Sequence, residues 1–164
     1  MFFSCYEMIH TYREKWMSEG QWLRIKQQKP IFIEQRHNKE NNQEKRAYAE
    51  AVATSKKGAI MLAVCKGKIS EGLNFQDDLG RLVVVVGIPF ASIGAQKVRL
   101  KMEFMNGREH KSGDEWYMKE GMRAVNQAIG RVIRHQQDYG AILLLDIRYS
   151  RYTHQKQLSK WLRD

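Results

Sequence analysis

Cysteine is scarce in this chain: Cys5 and Cys65 are the only two. Neither stands in a CxxC or histidine-rich context, and two are too few for a disulfide framework or a four-ligand metal site. Both lie in apolar surroundings and read as buried free thiols. Long apolar runs are also missing. Val83-Val84-Val85-Val86 and Ala141-Ile142-Leu143-Leu144-Leu145 are strand-sized, far short of the roughly 20 residues a membrane span needs. Met1-Phe2-Phe3 has no basic stretch before it and charges follow soon, unlike a signal peptide. The expectation is a cytosolic or nuclear protein with no membrane partner. No repeat, low-complexity tract or linker divides the chain. No HExxH, no histidine pair at ligand spacing and no GxSxG elbow is present, so neither a zinc-protease nor a serine-hydrolase signature exists.

Acidic residues are outnumbered, 18 Asp+Glu against 28 Lys+Arg, for a formal charge of +10. That balance suits a polyanionic partner, because Lys and Arg release counterions from a phosphate backbone. Charge alone does not separate nucleic acid from an anionic membrane surface, or either from a domain that is simply basic. The 164 residues, 43% of them hydrophobic, suffice for one domain with one core.

Strand-like runs alternate with helix-like segments. Phe2-Phe3-Ser4 reads as the stub of a strand. A helix follows, with Met8, Ile9, Tyr12, Trp16 and Met17 on one stripe and Gly20 at its end. Pro30 to Ile33 is a short strand, and Ala47, Tyr48, Ala51 and Val52 take helical spacing. Ala59 to Val64, Leu82 to Val86 and Ala141 to Leu145 read as buried strands. Ile88 to Ala91 carries a proline and leaves the sheet. Val98 to Met105 looks helical, Asn106 to Asp114 reads as a mobile loop, a long helix runs from Glu115 to Arg134, and Gln155 to Leu162 closes the chain as a helix. This alternation predicts an α/β fold: three layers, with a mainly parallel sheet flanked by helices. A first strand at residue 2, with nothing leading into it, reads like a chain cut from a longer one.

Ligands of parallel α/β sheets sit beyond the carboxyl ends of the strands. The loop after Val64 carries Lys66, Gly67, Lys68, Ser70, Glu71, Gly72 and Asn74. Glycines admit a phosphate to the backbone, and NH groups with Lys hold it. A plain strand-to-helix turn with solvated lysines explains the same residues and is favoured by the loop alone. It has no GxxxxGK[ST] pattern, so it is not a Walker A loop. Further on, Met122, Val125, Ile129, Val132 and Ile133 form a core stripe, while Gln127, Gly130, Arg131 and Arg134 form a stripe opposite. Paired guanidiniums can brace phosphate oxygens and the charge developing on a transferred phosphoryl group. A solvated face is the alternative, weakened by a mid-helix glycine costing up to about 1 kcal/mol against Ala. Asp146 and Arg148 read as a salt bridge orienting loops. His135 reads as a solvated residue at a helix end.

In order, these stretches resemble the second motor domain of superfamily 2 helicases of the XPD-like branch, a RecA-like, P-loop NTPase-type fold. Phe2-Phe3-Ser4-Cys5-Tyr6 resembles motif IV, with Cys5 where the branch usually has Ser. Gly67 to Phe75 resembles motif V, and Gln127-Ala128-Ile129-Gly130-Arg131-Val132-Ile133-Arg134 resembles motif VI. Gly87-Ile88-Pro89-Phe90 and Asp146-Ile147-Arg148-Tyr149 are similar to further stretches, so the resemblance spans essentially the whole chain, residues 1–164. Leu73-Asn74-Phe75, Asp78-Leu79-Gly80-Arg81 and the Leu-Asp-x-Arg-Tyr ending lean toward the branch's sister-chromatid-cohesion subgroup. Ala124 to His135 looks equally like its telomere-elongation-regulator subgroup, with the Fanconi-anaemia J subgroup third.

The resemblance implies a half-site. Arg131, Arg134 and Gln127 would face the γ-phosphate of ATP held with Mg²⁺ mainly by a first RecA-like domain. Glu71, Gly72, Asn74 and Gly130 would line the cleft between the two domains, Asn74 standing where many members carry Asp. Lys66, Lys68 and Ser70 would lie toward single-stranded or forked DNA, with movement 5′ to 3′ in a nuclear DNA-repair or chromosome-maintenance role. The branch's iron–sulfur cluster would belong to the first domain. Walker A and the Asp-Glu-Ala-His box are absent here, so this chain alone is expected not to turn over ATP. The other reading is a non-catalytic basic module that binds nucleic acid or protein.

Overall fold

The computed structural model describes residues 1–36, 42–72, 75, 77–108, 112–133, 135 and 137–163, with Glu71 described for its backbone only. Five strands form one sheet: β1 (Phe2–Phe3), β2 (Ile31–Ile33), β3 (Ile60–Val64), β4 (Leu82–Val86) and β5 (Ala141–Leu145). They run in the order β2-β3-β1-β4-β5, every pairing parallel. The α/β expectation holds for the physical reason that motivated it. Strands this apolar need cover on both faces, and parallel neighbours need a crossover segment between them.

The two faces are covered by different helices. The helices α1 (Tyr6–Ser18) and α2 (Gln21–Gln28) lie on one, where Ile9 and Trp22 bury against Phe3, Leu62, Val64, Val84 and Val86. Gly20, at φ +71°, makes the sharp break between these helices. The opposite face receives α3 (Asn42–Thr54) and α6 (Gly113–Ile129), with Tyr48, Met122, Val125, Ala128 and Ile129 on Phe2, Met61, Ala63, Val83 and Val85. The short α4 (Lys68–Gly72) follows β3, α5 (Gln96–Asn106) pairs with α6, and α7 (Tyr152–Gln155) follows β5. No helix among the described residues is long and apolar enough to cross a membrane.

Several expectations change. The long helix starts at Gly113 and stops at Ile129, with Gly130 as its C-cap, so Gly130 is not a mid-helix glycine and carries no interior-helix penalty. Val132 is fully buried but Ile133 is 38% exposed, because the core stripe ends with the helix. β5 is an edge strand with only one face covered, so Leu143 and Leu145 are about half exposed, at 48% and 51%. Residues 156–159 form no helix: Asn126 donates to Gln157 O and accepts from Ser159 N, drawing the segment across α6. Cys65 is buried, as expected, whereas Cys5 is only half-buried. The 106–114 loop is shorter than expected, since α5 reaches Asn106 and Ser112 caps α6 by accepting from Glu115 N.

Gly113 makes the α5–α6 contact possible. A Cβ there would sit 2.6 Å from Met102 O and 2.9 Å from Met102 Cα, both backbone atoms that cannot turn aside. Ala would gain at most about 1 kcal/mol of helix propensity, less than the roughly 1–3 kcal/mol of overpacking. Gly113→Ala is therefore expected to lower the urea midpoint of unfolding. An unchanged or higher midpoint would refute the close approach.

Candidate functional site

The turn that carries Lys66 to Ser70 begins where β3 ends. Lys66 has φ 61°, a left-handed backbone that non-glycine residues rarely take. A buried carboxylate holds the turn: Glu34, 2% exposed, one residue past β2. Its Oε2 accepts from Val64 N at 2.8 Å, and its Oε1 from Ile69 N at 3.2 Å and Tyr6 Oη at 3.2 Å. A Cβ on Gly67 would meet the two carboxylate oxygens at 2.6 and 2.7 Å. The space opened by Gly67 is thus filled by an anion belonging to the protein, and the Ile69 amide is consumed. The described contacts are those of a strand-to-helix turn closed on Glu34. Burial and the charge of Glu34 push the Tyr6 phenol up to about 12.

The residues expected on the nucleic-acid side separate. Lys66 and Lys68 are exposed, beyond the carboxyl end of the central strands. Ser70 is 4% exposed and donates to Gly67 O at 2.8 Å, so its hydroxyl stabilises the turn from inside. Cys65 beneath them is buried, and that burial pushes its thiol up to about 12. Gly72 lies on α4, where an added Cβ would approach Lys45 Nζ at 2.7 Å, so α3 brings an ammonium to the motif that its position in sequence does not announce. Asn74 lies outside the described residues, and Glu71 is placed only as part of α4.

Gln127 to Arg131 sit at the opposite edge of the sheet. The α6 helix runs back across the sheet and ends where β5 begins, so Gly130 and Arg131 precede a strand's amino end. The carboxyl-end rule thus locates Lys66 and Lys68 but not Arg131. Gln127 is exposed on the last turn of α6, and Arg131 is half-buried just beyond it. Neither side chain has a hydrogen bond or ion pair among the described residues. Arg134 lies outside them. His135 is not at a helix end but in the following turn, its Nε2 3.0 Å from Asp77 Oδ1.

At the carboxyl edge, Arg148 grips Asp146 through Nε at 2.8 Å and a terminal nitrogen at 2.6 Å, which holds that carboxyl below the usual range. Tyr149 Oη donates to Gly87 O, tying the exit of β5 to that of β4. This pair is structural, as its sequence suggested. On α5, Leu100 (56% exposed) and Phe104 (50% exposed) line an open groove with Trp116, Lys97 and Lys101. Sequence reading missed it, because apolar residues at helical spacing read as core. Glu34 was missed for a different reason: a lone acid after a strand carries no motif.

With a parallel five-stranded sheet covered by helices on both faces, the class is that of a RecA-like α/β domain. The sequence profile of the family described as the helicase C-terminal domain matches residues 1–164. The chain belongs to that family. It is similar to the regulator of telomere elongation helicase 1 homologs of Drosophila grimshawi (45% identical over 169 residues) and Drosophila melanogaster (45% over 168). These alignments cover 100% and 99% of this chain but 17% of each relative, so the chain spans about a sixth of their length. Those relatives carry the name of the telomere-elongation subgroup, one of the two the sequence most resembled. Among solved structures, the fold matches one titled XPD helicase with TM-score 0.65 and 21% identity, covering 95% of this chain and 26% of that one. It also matches S. tokodaii Xpd4 with TM-score 0.61 and 20% identity, covering 98% and 28%.

Replacing Glu34 by Gln keeps the shape but leaves one of two buried amides facing an NH₂ group. An unmet buried partner costs about 1–3 kcal/mol. Glu34→Gln is expected to speed hydrogen exchange at the Val64 and Ile69 amides well beyond that in α6. Unchanged exchange at both would mean that the carboxylate does not hold the turn.

Proposed function

We propose that this domain is the second motor half of an ATP-dependent DNA helicase, lending arginine to a phosphate site completed by another RecA-like domain. The observation that carries this reading is Arg131. It is half-buried beside the end of α6, with no carboxylate partner among the described residues, in a chain without a Walker A or Asp-Glu-Ala-His motif of its own. A guanidinium left unpaired in a basic protein suits an anion supplied from outside. Gln127 one turn earlier offers an amide to the same anion, and Arg134 would join them.

The nucleotide would be ATP with Mg²⁺, held mainly by the first motor domain. Arg131 would stabilise charge developing on the transferred phosphoryl group, and Gly72, Gly130, Glu71 and Asn74 would line the cleft. An iron–sulfur cluster would belong to that other domain as well. The two cysteines here, one of them buried at the end of β3, cannot make a four-cysteine set. The DNA partner would be single-stranded or forked, in a nuclear role in repair, cohesion or telomere maintenance. Lys66 and Lys68 suit phosphates, and the Phe104–Trp116 groove with Lys97 and Lys101 suits stacked bases beside a backbone.

In a protein carrying both motor domains, Arg131→Ala is expected to lower DNA-stimulated ATP turnover by about 10³-fold or more while single-strand affinity is largely kept. The chain by itself should be silent in the same assay. Robust turnover by the isolated chain, or near-normal turnover by the variant, would defeat the half-site and leave a basic binding module.

The lysines are tested separately by salt. Lys66→Ala should weaken single-strand binding across sequences and flatten the slope of log affinity against log salt by about 1. An unchanged slope would remove Lys66 from the DNA interface.

A further inference from the structure

Arg131 stands just past the C-cap of α6. The α6 ladder has ended, and Arg131 N reaches Ala128 O at only 3.3 Å. The described residues that follow, 131–133, 135 and 137–140, lie in neither helix nor strand. A guanidinium acting on developing charge must be held within about 0.5 Å of its productive position, so something outside the helix has to hold this turn.

An ion pair and a histidine–carboxylate contact do so, and both reach the same segment. Asp138 has a fully buried side chain. It accepts from an Arg81 terminal nitrogen at 2.7 Å and from Tyr139 N at 2.9 Å. The same guanidinium nitrogen donates to Tyr139 O at 2.8 Å, and the group stacks 4.1 Å from the Tyr139 ring centre. Nearer Arg131, His135 Nε2 lies 3.0 Å from Asp77 Oδ1, and Asp77 has a left-handed φ of 51°. Between Arg131 and these clamps, Val132 is fully buried, and a Cβ on Gly140 would fall 2.2 Å from its Cγ1. Asp77 and Arg81 bracket the short turn (Asp77–Gly80) that leads from motif V into β4.

We infer that His135 and Asp77 act as positioning residues, latching the turn that carries Arg131 to the segment leaving motif V. The Arg81–Asp138 pair is the buried anchor of the latch and His135–Asp77 its exposed closure, at 47% and 61% side-chain exposure. A shift of the motif V segment is thereby passed to the arginine. This role rests on the half-site reading above and extends it, because the latch matters to turnover only if Arg131 does. Exposed pairs contribute little to stability, about 0–1 kcal/mol, so loss of the latch should leave the fold intact and disturb geometry.

The test is steady-state DNA-stimulated ATPase of a protein carrying both motor domains, alongside its melting temperature. His135→Ala and Asp77→Ala should each lower kcat on the order of tenfold, with the ATP KM and melting temperature near those of the parent. The double variant should be no slower than either single one, because the two residues make one contact. His135→Gln, which retains a side-chain donor, should recover most of the loss. Unchanged kcat, multiplicative losses in the double variant, or a kcat loss that follows a falling melting temperature would each overturn the latch. Arg131→Ala, assayed in parallel, separates the two ideas. Turnover abolished by it but untouched by His135→Ala refutes the latch alone, whereas turnover indifferent to Arg131→Ala refutes the half-site and the latch with it.

Discussion

A carboxylate buried at the end of a short strand sets the geometry of the carboxyl edge of this sheet. Taking Glu34 out of water costs several kcal/mol unless its oxygens are met, and they are met by Val64 N, Ile69 N and Tyr6 Oη. One side chain therefore joins the start of α1, the end of β3 and the start of α4. Gly67 follows from the same constraint, since any Cβ there would collide with the carboxylate. The left-handed Lys66 and the inward Ser70 complete a tight turn whose outer surface is left to two lysines.

The consequence is a division of labour between the two edges of the sheet. Lysines are displayed beyond the carboxyl ends, and Arg131 is displayed near an amino end. The chain from Cys65 to Arg81 crosses from one edge to the other, as α4 and the turn before β4. It touches Glu34 at its beginning and Asp138 at its end, both through buried carboxylates. In the helicase reading, that crossing is the physical link between the grip on a strand and the response to a nucleotide.

Much of this was legible beforehand. Valine-rich runs with no polar residue announced β4 and the parallel sheet, because only strands covered on both faces tolerate them. The motif order pointed to the helicase family, which the profile match across residues 1–164 shows. Other features were not legible. Ala141 to Leu145 is as apolar as β4, yet it lies at the edge and leaves Leu143 and Leu145 open. The end of α6 was misjudged because Val132 continues the core stripe after the helix has stopped, its burial supplied by the turn.

By itself the sequence determined the class of fold and the alternation of strand and helix, since these follow from hydrophobic period and local chemistry. Only the tertiary structure decided which groups are spent and which remain on offer. Glu34 and the Ile69 amide satisfy each other across the 35 residues that separate them, as do Arg81 and Asp138 across 57. Pairing at such separation leaves no periodic trace along the chain. Arg131, left without a partner among the described residues, stands apart only once those pairs are known.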